Sequence, residues 1–205
     1  WDSTIEIFVN DNCGGQPVAR GPAALFDSTG FVATVPRNQT TNFSARAIDF
    51  AGNVSQCATS SFSYVEDSLA PNKPTGLATV PGQIANQNTI RVKGSAEAGS
   101  TVRLYKTTNC SLAASATKSA AEFASPGFEV TVADNTPNVF SVTATDAAGN
   151  VSPCSDSVTF IEDSAPPSFA GATGVSINAT TGDVVVSWAA ASDNFAATTS
   201  IVYEV

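Results

Sequence analysis

Four cysteines carry the clearest chemical potential in this 205-residue chain, and they occur as two pairs with one spacing. Cys13 and Cys57 are 44 residues apart, as are Cys110 and Cys154. In an oxidising compartment such pairs form disulfides, whereas four thiolates that converge on one point can bind a metal ion. The spacing alone leaves both chemistries open.

Catalytic groups are scarce. The chain has no histidine, which excludes a Ser-His-Asp or Cys-His nucleophile and a His-ligated zinc within it. Ser115 and Lys118 fit the Ser-x-x-Lys pattern of serine acyl enzymes, which carry it at the start of a helix. The pattern is short, and we interpret these residues as part of an exposed strand. We therefore predict that the chain is not an enzyme.

The net charge excludes further classes of partner. The chain has 9 Lys plus Arg against 18 Asp plus Glu, a formal net charge of −9. A nucleic-acid surface requires clustered cations, so we exclude nucleic acid as a partner. No apolar run reaches the roughly 18 residues that a membrane helix needs, so we predict no membrane insertion within this segment.

The elements that must position these residues repeat along the chain. Residues 3–57 align without gaps on residues 100–154, with 24 identities in 55 positions, and both cysteines of each pair coincide. The phrase Glu-Asp-Ser-x-x-Pro ends each unit. We therefore predict that 1–67 is the C-terminal part of a repeat, 68–163 a complete repeat and 164–205 the N-terminal part of a further domain. Because the chain does not begin with Met, we expect a mature piece or a piece of something longer.

Apolar and polar residues alternate in short segments throughout the repeat, which predicts strands. In Phe-Glu-Val-Thr-Val at 128–132, the three apolar side chains share one face of a strand. Turn residues recur between these segments, so we predict an all-β fold of antiparallel β-sandwiches. Residues 112–124 are rich in Ala and could form a short helix, but we favour an edge strand there. The recurring aromatic residues at strand positions are expected in the core: Phe31, Phe43, Phe128 and Phe140.

Three phrases of the complete repeat occur in an order that resembles bacterial immunoglobulin-like (Ig-like) repeats of large secreted or surface-anchored adhesins. They lie at 93–105, 128–132 and 144–152. The likeness covers residues 1–163 and implies tandem Ig-like sandwiches in an extended array. Residues 164–205 are instead similar to the first half of a fibronectin type III domain, whose core Trp and Tyr correspond to Trp188 and Tyr203.

In an extracellular sandwich of this kind the cysteines imply one disulfide per repeat, Cys13–Cys57 and Cys110–Cys154. A four-thiolate metal site would need all four together, and the repeat places them in two domains. In an ordinary sandwich Cys110 follows the third strand and Cys154 precedes the seventh. They meet only if a strand is short or bulged.

Carboxylates near the expected domain junctions are candidate calcium ligands, because Ca²⁺ prefers several oxygen ligands. One group would gather at the junction before the complete repeat, and a second at the junction after it. The first group is Glu66, Asp67, Glu97 and Asp146, and the second is Glu162, Asp163 and Asp193. The alternative is that these acids only keep the surface soluble and shape turns, with no cofactor at all.

Taken together, the sequence predicts a non-catalytic extracellular spacer or adhesion segment of a large bacterial surface or secreted protein. The alternatives are accessory modules of a secreted polysaccharide-degrading enzyme, or a module that binds a glycan or a cell-surface protein. We expect further Ig-like repeats in the same polypeptide as partners, and a monomer. The alternative to a monomer is strand addition between chains, since 1–67 lacks the first strands of a domain and 164–205 supplies such strands.

Overall fold

The regular secondary structure of the chain is almost entirely β-strand, in a computed structural model that describes residues 3–195 and 201–202. The all-β prediction is confirmed. Two compact units are present, Trp1–Leu69 (unit 1) and Ala70–Val205 (unit 2). Tyr203, the expected second core aromatic of the last part, lies outside the described residues.

Unit 1 consists of one four-stranded antiparallel sheet and a short helix. The sheet order is β2-β1-β3-β4. The elements are β1 (Thr4–Phe8), β2 (Ala19–Pro22), α1 (Ala23–Ser28), β3 (Thr40–Ile48) and β4 (Phe62–Val65).

Unit 2 contains a sandwich of two sheets, of order β10-β7-β5 and β6-β12-β11-β8-β9, and a separate two-stranded sheet, β13-β14. Every strand pair is antiparallel except β6 with β12. The elements are β5 (Thr75–Val80), β6 (Ile84–Ala85), β7 (Thr89–Ser95), β8 (Thr101–Tyr105), β9 (Ala116–Ser119), α2 (Ala120–Ala124), β10 (Phe128–Thr131), β11 (Pro137–Thr145), β12 (Val158–Glu162), β13 (Ala172–Ile177) and β14 (Val184–Trp188).

The core of unit 2 lies between its two larger sheets. Alternate apolar residues of both sheets point into one cluster, as the period of two requires. Phe128 from one sheet and Phe140 from the other are both buried there, as predicted. Phe31 and Phe43, their counterparts in unit 1, are only half-buried, because no second sheet covers them within residues 3–69.

The Ala-rich segment forms both of the elements considered for it. Ala116–Ser119 is the edge strand β9, paired with β8, and the chain then turns directly into α2. The Ser119 side chain accepts from the Glu122 backbone, and the Glu122 carboxylate accepts from the Ser119 backbone N–H. This capping box stabilises the start of a helix inside a strand-rich context, which explains why the strand ends at Ser119.

Candidate functional site

The Ser-x-x-Lys pattern lies at the start of the edge strand β9, with Ser115 immediately before the strand and Lys118 within it. The Ser115 N–H donates to the Leu104 carbonyl, and Lys118 pairs with Val102 in the β8–β9 ladder. The adjacent helix begins only after these residues, at Ala120. The geometry therefore differs from the helix-start arrangement that the acyl-enzyme pattern requires.

Both disulfides are present, with Cα–Cα distances of 5.7 Å for Cys13–Cys57 and 5.8 Å for Cys110–Cys154. Cys110 lies in the loop after β8, in a left-handed conformation with φ 56°. Its N–H donates to the Ser141 hydroxyl (3.2 Å), which donates in turn to the Thr107 carbonyl (2.7 Å). The buried Ser141 of β11 thus fixes the loop that carries Cys110.

The second cysteine of the pair reaches the same strand from the other side. The segment before β12 is irregular and runs beside β11, where Ser155 N–H donates to the Val142 carbonyl (2.9 Å). Cys154 therefore lies halfway along β11 rather than at its end. The disulfide crosses β11 next to Ser141. From the sequence we expect the two cysteines to meet only if a strand is short or bulged, and the irregular segment before β12 is the deviation that lets them meet. Ser44 accepts from the Cys13 N–H in the same way in unit 1 (3.2 Å).

A second recurring feature fixes the chain where it leaves each sheet. In unit 1, the Asn38 N–H donates to Glu66 Oε2 (2.5 Å), and the Asn38 side-chain oxygen accepts from the Ser68 N–H (2.9 Å). We call this arrangement the linker clamp. Asn38 has φ 55°, a left-handed conformation that Asn tolerates better than most residues.

Unit 2 contains the same clamp at a buried glutamate. The Asn135 N–H donates to Glu162 Oε2 (2.9 Å), and the Asn135 side-chain oxygen accepts from the N–H groups of Ser164 (3.2 Å) and Ala165 (3.0 Å). Glu162 is fully buried, and its other carboxylate oxygen has no hydrogen-bond partner among the described residues. Neither asparagine was predicted from the sequence to contact the linker, although their coincidence in the repeat is a signal that could have indicated it.

The predicted calcium ligands are distributed over both units. Glu66 and Asp67 belong to unit 1, whereas Glu97 and Asp146 belong to unit 2, where Glu97 is exposed in the turn before β8. Asp146 accepts from the backbone N–H (2.8 Å) and the side-chain amide (2.9 Å) of Asn150. The hydrogen bond from the Asn150 side-chain amide is the main reason that the pKa of Asp146 lies below its usual value.

The second group of candidates lies around the clamp of unit 2. The Asn194 amide, oriented to satisfy its hydrogen bonds, donates to Asp163 (3.1 Å) and to Asp193 (3.2 Å). Over residues 3–195 and 201–202, no three His, Cys, Asp or Glu side chains form a group that could hold a metal ion. Calcium binding by Glu162, Asp163 and Asp193 stays a prediction.

The inner face of the unit 1 sheet is an open apolar groove with a volume of about 750 Å³. Aromatic side chains dominate its lining, and no charged side chain contributes to it. The groove is lined in part by Ile7, Phe26, Phe31, Phe43, Phe62 and Tyr64.

The opposite face of the same sheet is covered by its own side chains. Glu6 is buried there and accepts from Arg46 (2.8 Å), and Arg20 lies 3.6 Å from its other oxygen. The Arg46 guanidinium lies 5.0 Å from the centre of the Phe8 ring. Unit 1 therefore has one covered and one uncovered face.

Within the described ranges no helix combines the length and apolar character that crossing a membrane would take. No curated protein matches the chain significantly. Among solved structures, the chain is similar to the FN1–FN3 domains of chicken CNTN1, with 16% identity and a TM-score of 0.43, over 78% of this chain and 53% of that one. It is also similar to the BSP domain of a biofilm associated protein, with 21% identity and a TM-score of 0.27, over 80% of this chain and 25% of that one.

The chain thus spans about half the length of one of these structures and a quarter of the other. A family match with defined residue bounds lies in unit 2, where two sheets enclose the core. Residues 70–160, the sandwich of unit 2, match the bacterial Ig domain family.

Proposed function

We propose that this chain is a non-catalytic extracellular spacer or adhesion segment of a larger bacterial surface or secreted protein. The match of residues 70–160 to the bacterial Ig domain supports this role. Disulfides persist in oxidising compartments, so the two disulfide-linked units support an extracellular location.

The observation that carries the proposal is the linker clamp. A spacer has to hold the direction in which the chain leaves each domain, and an unconstrained linker would lose it. The same three residue types, Asn, Glu and Ser, tie the outgoing chain to the preceding sheet in both units. A chemistry that recurs after β4 and again after β12 suits a repeated structural role better than a binding site.

The clamp is tested by replacing Asn135 with Gly in the full chain. Gly keeps the left-handed backbone and the N–H that donates to Glu162, but it removes the side-chain oxygen that accepts from Ser164 and Ala165. Amide exchange of residues 163–165 should accelerate about fivefold, the effect of roughly 1 kcal/mol of lost hydrogen bonding.

Asn109→Gly is the matched control, because it removes a side-chain oxygen that accepts from the Ser111 N–H in a loop outside the linker. It should leave linker exchange unchanged. Small-angle scattering at the lowest usable concentration tests the spacer itself: an elongated particle is expected. Linker exchange that Asn135→Gly does not change, together with a compact globule, would overturn the proposal.

We further propose that Ca²⁺ reinforces the clamp of unit 2 by drawing together Glu162, Asp163 and Asp193, which do not form a metal-binding group among the described residues as they stand. The buried Glu162 oxygen without a partner supports this, because a cation would satisfy it. Calorimetric titration of the chain with CaCl₂ should detect binding, and Asp163→Asn should weaken it at least tenfold. Asp156→Asn, which removes an exposed carboxylate paired with Lys73, should leave it unchanged. No binding heat and no thermal shift in millimolar calcium would refute this part alone.

A further inference from the structure

A cleft on the outer face of the unit 2 sandwich has the composition of a small-ligand site. Its volume is about 320 Å³. This is at the lower end of the roughly 300–1,000 Å³ that is typical of ligand pockets. The side chains that line it come from β5, β7, β10 and the connection between β5 and β7. They are Val80, Pro81, Gln87, Thr89, Arg91 and Glu129. We call this site the outer cleft.

The strand register brings a charged pair and an apolar side chain of the outer cleft into one row. Arg91 of β7 lies opposite Glu129 of β10 on one side and opposite Val80 of β5 on the other. Side chains of a strand alternate between its faces, so Ile90 and Val92 are buried in the core whereas Arg91 lies on the outer face. The row is therefore a consequence of the same alternation that builds the core.

The two charged side chains of the outer cleft neutralise each other. The Arg91 guanidinium donates to Glu129 Oε2 (2.7 Å), and the two side chains are 41% and 59% exposed. Within residues 3–195 and 201–202, no other hydrogen bond or ion pair involves either side chain. Most of the guanidinium N–H groups and the second carboxylate oxygen are therefore available to a ligand. Such a pair offers charge-assisted hydrogen bonds without a net charge, which favours an uncharged ligand.

Uncharged polar groups and an apolar surface complete the outer cleft. The Gln87 amide is both a donor and an acceptor, and the Thr89 side chain is a hydroxyl. Val80, which is 43% exposed, and Pro81 supply the apolar surface. A ligand that fits this set has one apolar side and several hydroxyl-type groups.

The sheet beneath the outer cleft holds its side chains in place. Arg91, Glu129 and Thr89 lie on paired strands whose other faces are packed in the core. Thr79 Oγ1 donates to the Gly82 carbonyl (2.7 Å), which fixes the turn that carries Pro81. Groups on strands are positioned more precisely than groups on loops, so binding orders fewer side chains and costs less conformational entropy.

We propose that the outer cleft binds a neutral carbohydrate. A pyranose ring presents C–H groups on its faces, which pack on Val80 and Pro81, and hydroxyls around its rim, which bond to the polar side chains. A sugar hydroxyl can donate to Glu129 and accept from Arg91 at the same time, so the ion pair recognises it through both of its functions. The small volume suits one or two sugar rings rather than an extended peptide.

This site goes beyond the spacer role and does not depend on it. The outer cleft shares no residue with the linker clamp. A sandwich that carries both can hold a glycan on its outer face while the clamp fixes the direction of the outgoing chain. Linker exchange tests the clamp and sugar titration tests the cleft, so the failure of one leaves the other standing.

Chemical-shift titration of the isotope-labelled full chain tests the proposal. The probes are the methyl glycosides of glucose, galactose and mannose, each added up to about 100 mM, because a ligand of one ring binds in the millimolar range. At least one of them should cause saturable shifts of the backbone amides of residues 80–91 and 128–131. The absence of such shifts with all three probes, or shifts that map only to other residues, would overturn the proposal.

Replacing the ion pair by two amides tests its part in recognition. Arg91→Gln combined with Glu129→Gln keeps hydrogen-bonding groups but removes both charges, so the sugar affinity should fall about tenfold or more. The matched control, Lys73→Gln combined with Asp156→Asn, removes another exposed ion pair of unit 2 and should leave the affinity unchanged. Exposed ion pairs contribute little to stability, so both double variants should keep the urea midpoint of the wild type. Equal affinities of the wild type and the cleft variant would overturn the proposal.

A charged sugar distinguishes a neutral cleft from a cationic surface. Lys93 is exposed on the same face of β7 as Arg91, so a purely cationic surface would prefer an anionic ligand. We expect methyl glucuronide to bind no more tightly than the best of the neutral glycosides. A preference of about tenfold or more for the glucuronide would overturn the assignment of a neutral ligand.

Discussion

Phe123 and Phe26 occupy equivalent positions of the repeat but different environments, and comparing them measures what coverage by a second sheet contributes. Phe123 in α2 is fully buried, with its ring 5.7 Å from that of Phe128. Phe26 in α1 is 48% exposed, with its ring 5.8 Å from that of Phe31. The perturbation is the same substitution, Phe→Ala, at each position in turn.

The expected losses follow from burial. Phe123→Ala removes a fully buried ring and leaves a cavity between two sheets, which typically costs about 3–5 kcal/mol. At Phe26 about half of the side chain already contacts water and the site is open. The substitution therefore loses only about 1 kcal/mol of hydrophobic burial free energy, and no closed cavity forms. The difference of at least 2 kcal/mol corresponds to a thirtyfold or larger difference in the opening equilibrium of the two units.

Native-state amide exchange resolved by peptide mass spectrometry separates the two units within one chain. In dilute samples Phe123→Ala should accelerate the slowest exchange of β8 and β11 strongly, and Phe26→Ala should accelerate that of β1 and β3 only slightly. The control is Val32→Ala, at a side chain that is almost fully exposed in unit 1. Equal losses at the two phenylalanines would refute the reasoning, because unit 1 would then have a covered core.

Three further outcomes are expected. Replacing Cys110 and Cys154 together by Ala should lower the free energy of unfolding of unit 2 by about 4 kcal/mol, because the disulfide closes a loop with a sequence separation of 44. The loss is measured as a shift in the urea midpoint of unit 2, and a loss below about 1 kcal/mol would contradict this. The lowered pKa of Asp146, due first to Asn150, means that its stabilisation is complete above its ordinary value of 3.8 and lost as the pH falls through the lower folded value. Wild type should therefore lose stability below pH 3.8 more steeply than Asp146→Asn in acid denaturation, and parallel curves would contradict the assignment. Gly94→Ala would place a Cβ 2.7 Å from a buried aromatic ring and 2.9 Å from a backbone oxygen, and should destabilise unit 2 by about 1–3 kcal/mol in the same urea assay, whereas an unchanged midpoint would contradict the close contact.

Periodicity predicted the strands well because alternation of burial is a local property. The apolar positions of 128–132 point inward as their spacing requires. The short helix after Ser119 was harder to predict, because it directly follows a strand. The capping box of Ser119 and Glu122, rather than the Ala-rich composition, determines where the helix begins. The burial of Phe31 could not be read from its own segment, because it depends on strands that unit 1 does not contain.

Side-chain contacts between distant segments were the least predictable part. The meeting of the cysteines depends on an irregular segment beside β11, which no alternation signals. The linker clamp depends on one asparagine side chain in a left-handed turn, and a single residue type in a turn carries little information without the repeat. The carboxylates were recognised because their chemistry is distinctive, whereas the amide that organises them was not.

The disulfide that crosses β11 also determines how unit 2 would respond to mechanical force. A chain pulled from both sides of the sandwich would carry tension through Cys110 and Cys154, and residues 111–153 between them would stay slack. About 150 Å of extensible chain is therefore withheld from the pulled path for as long as the bond is oxidised. Shear flow would lengthen the sandwich of residues 70–160 by only about half of what its residue count allows, and reduction would release the remainder.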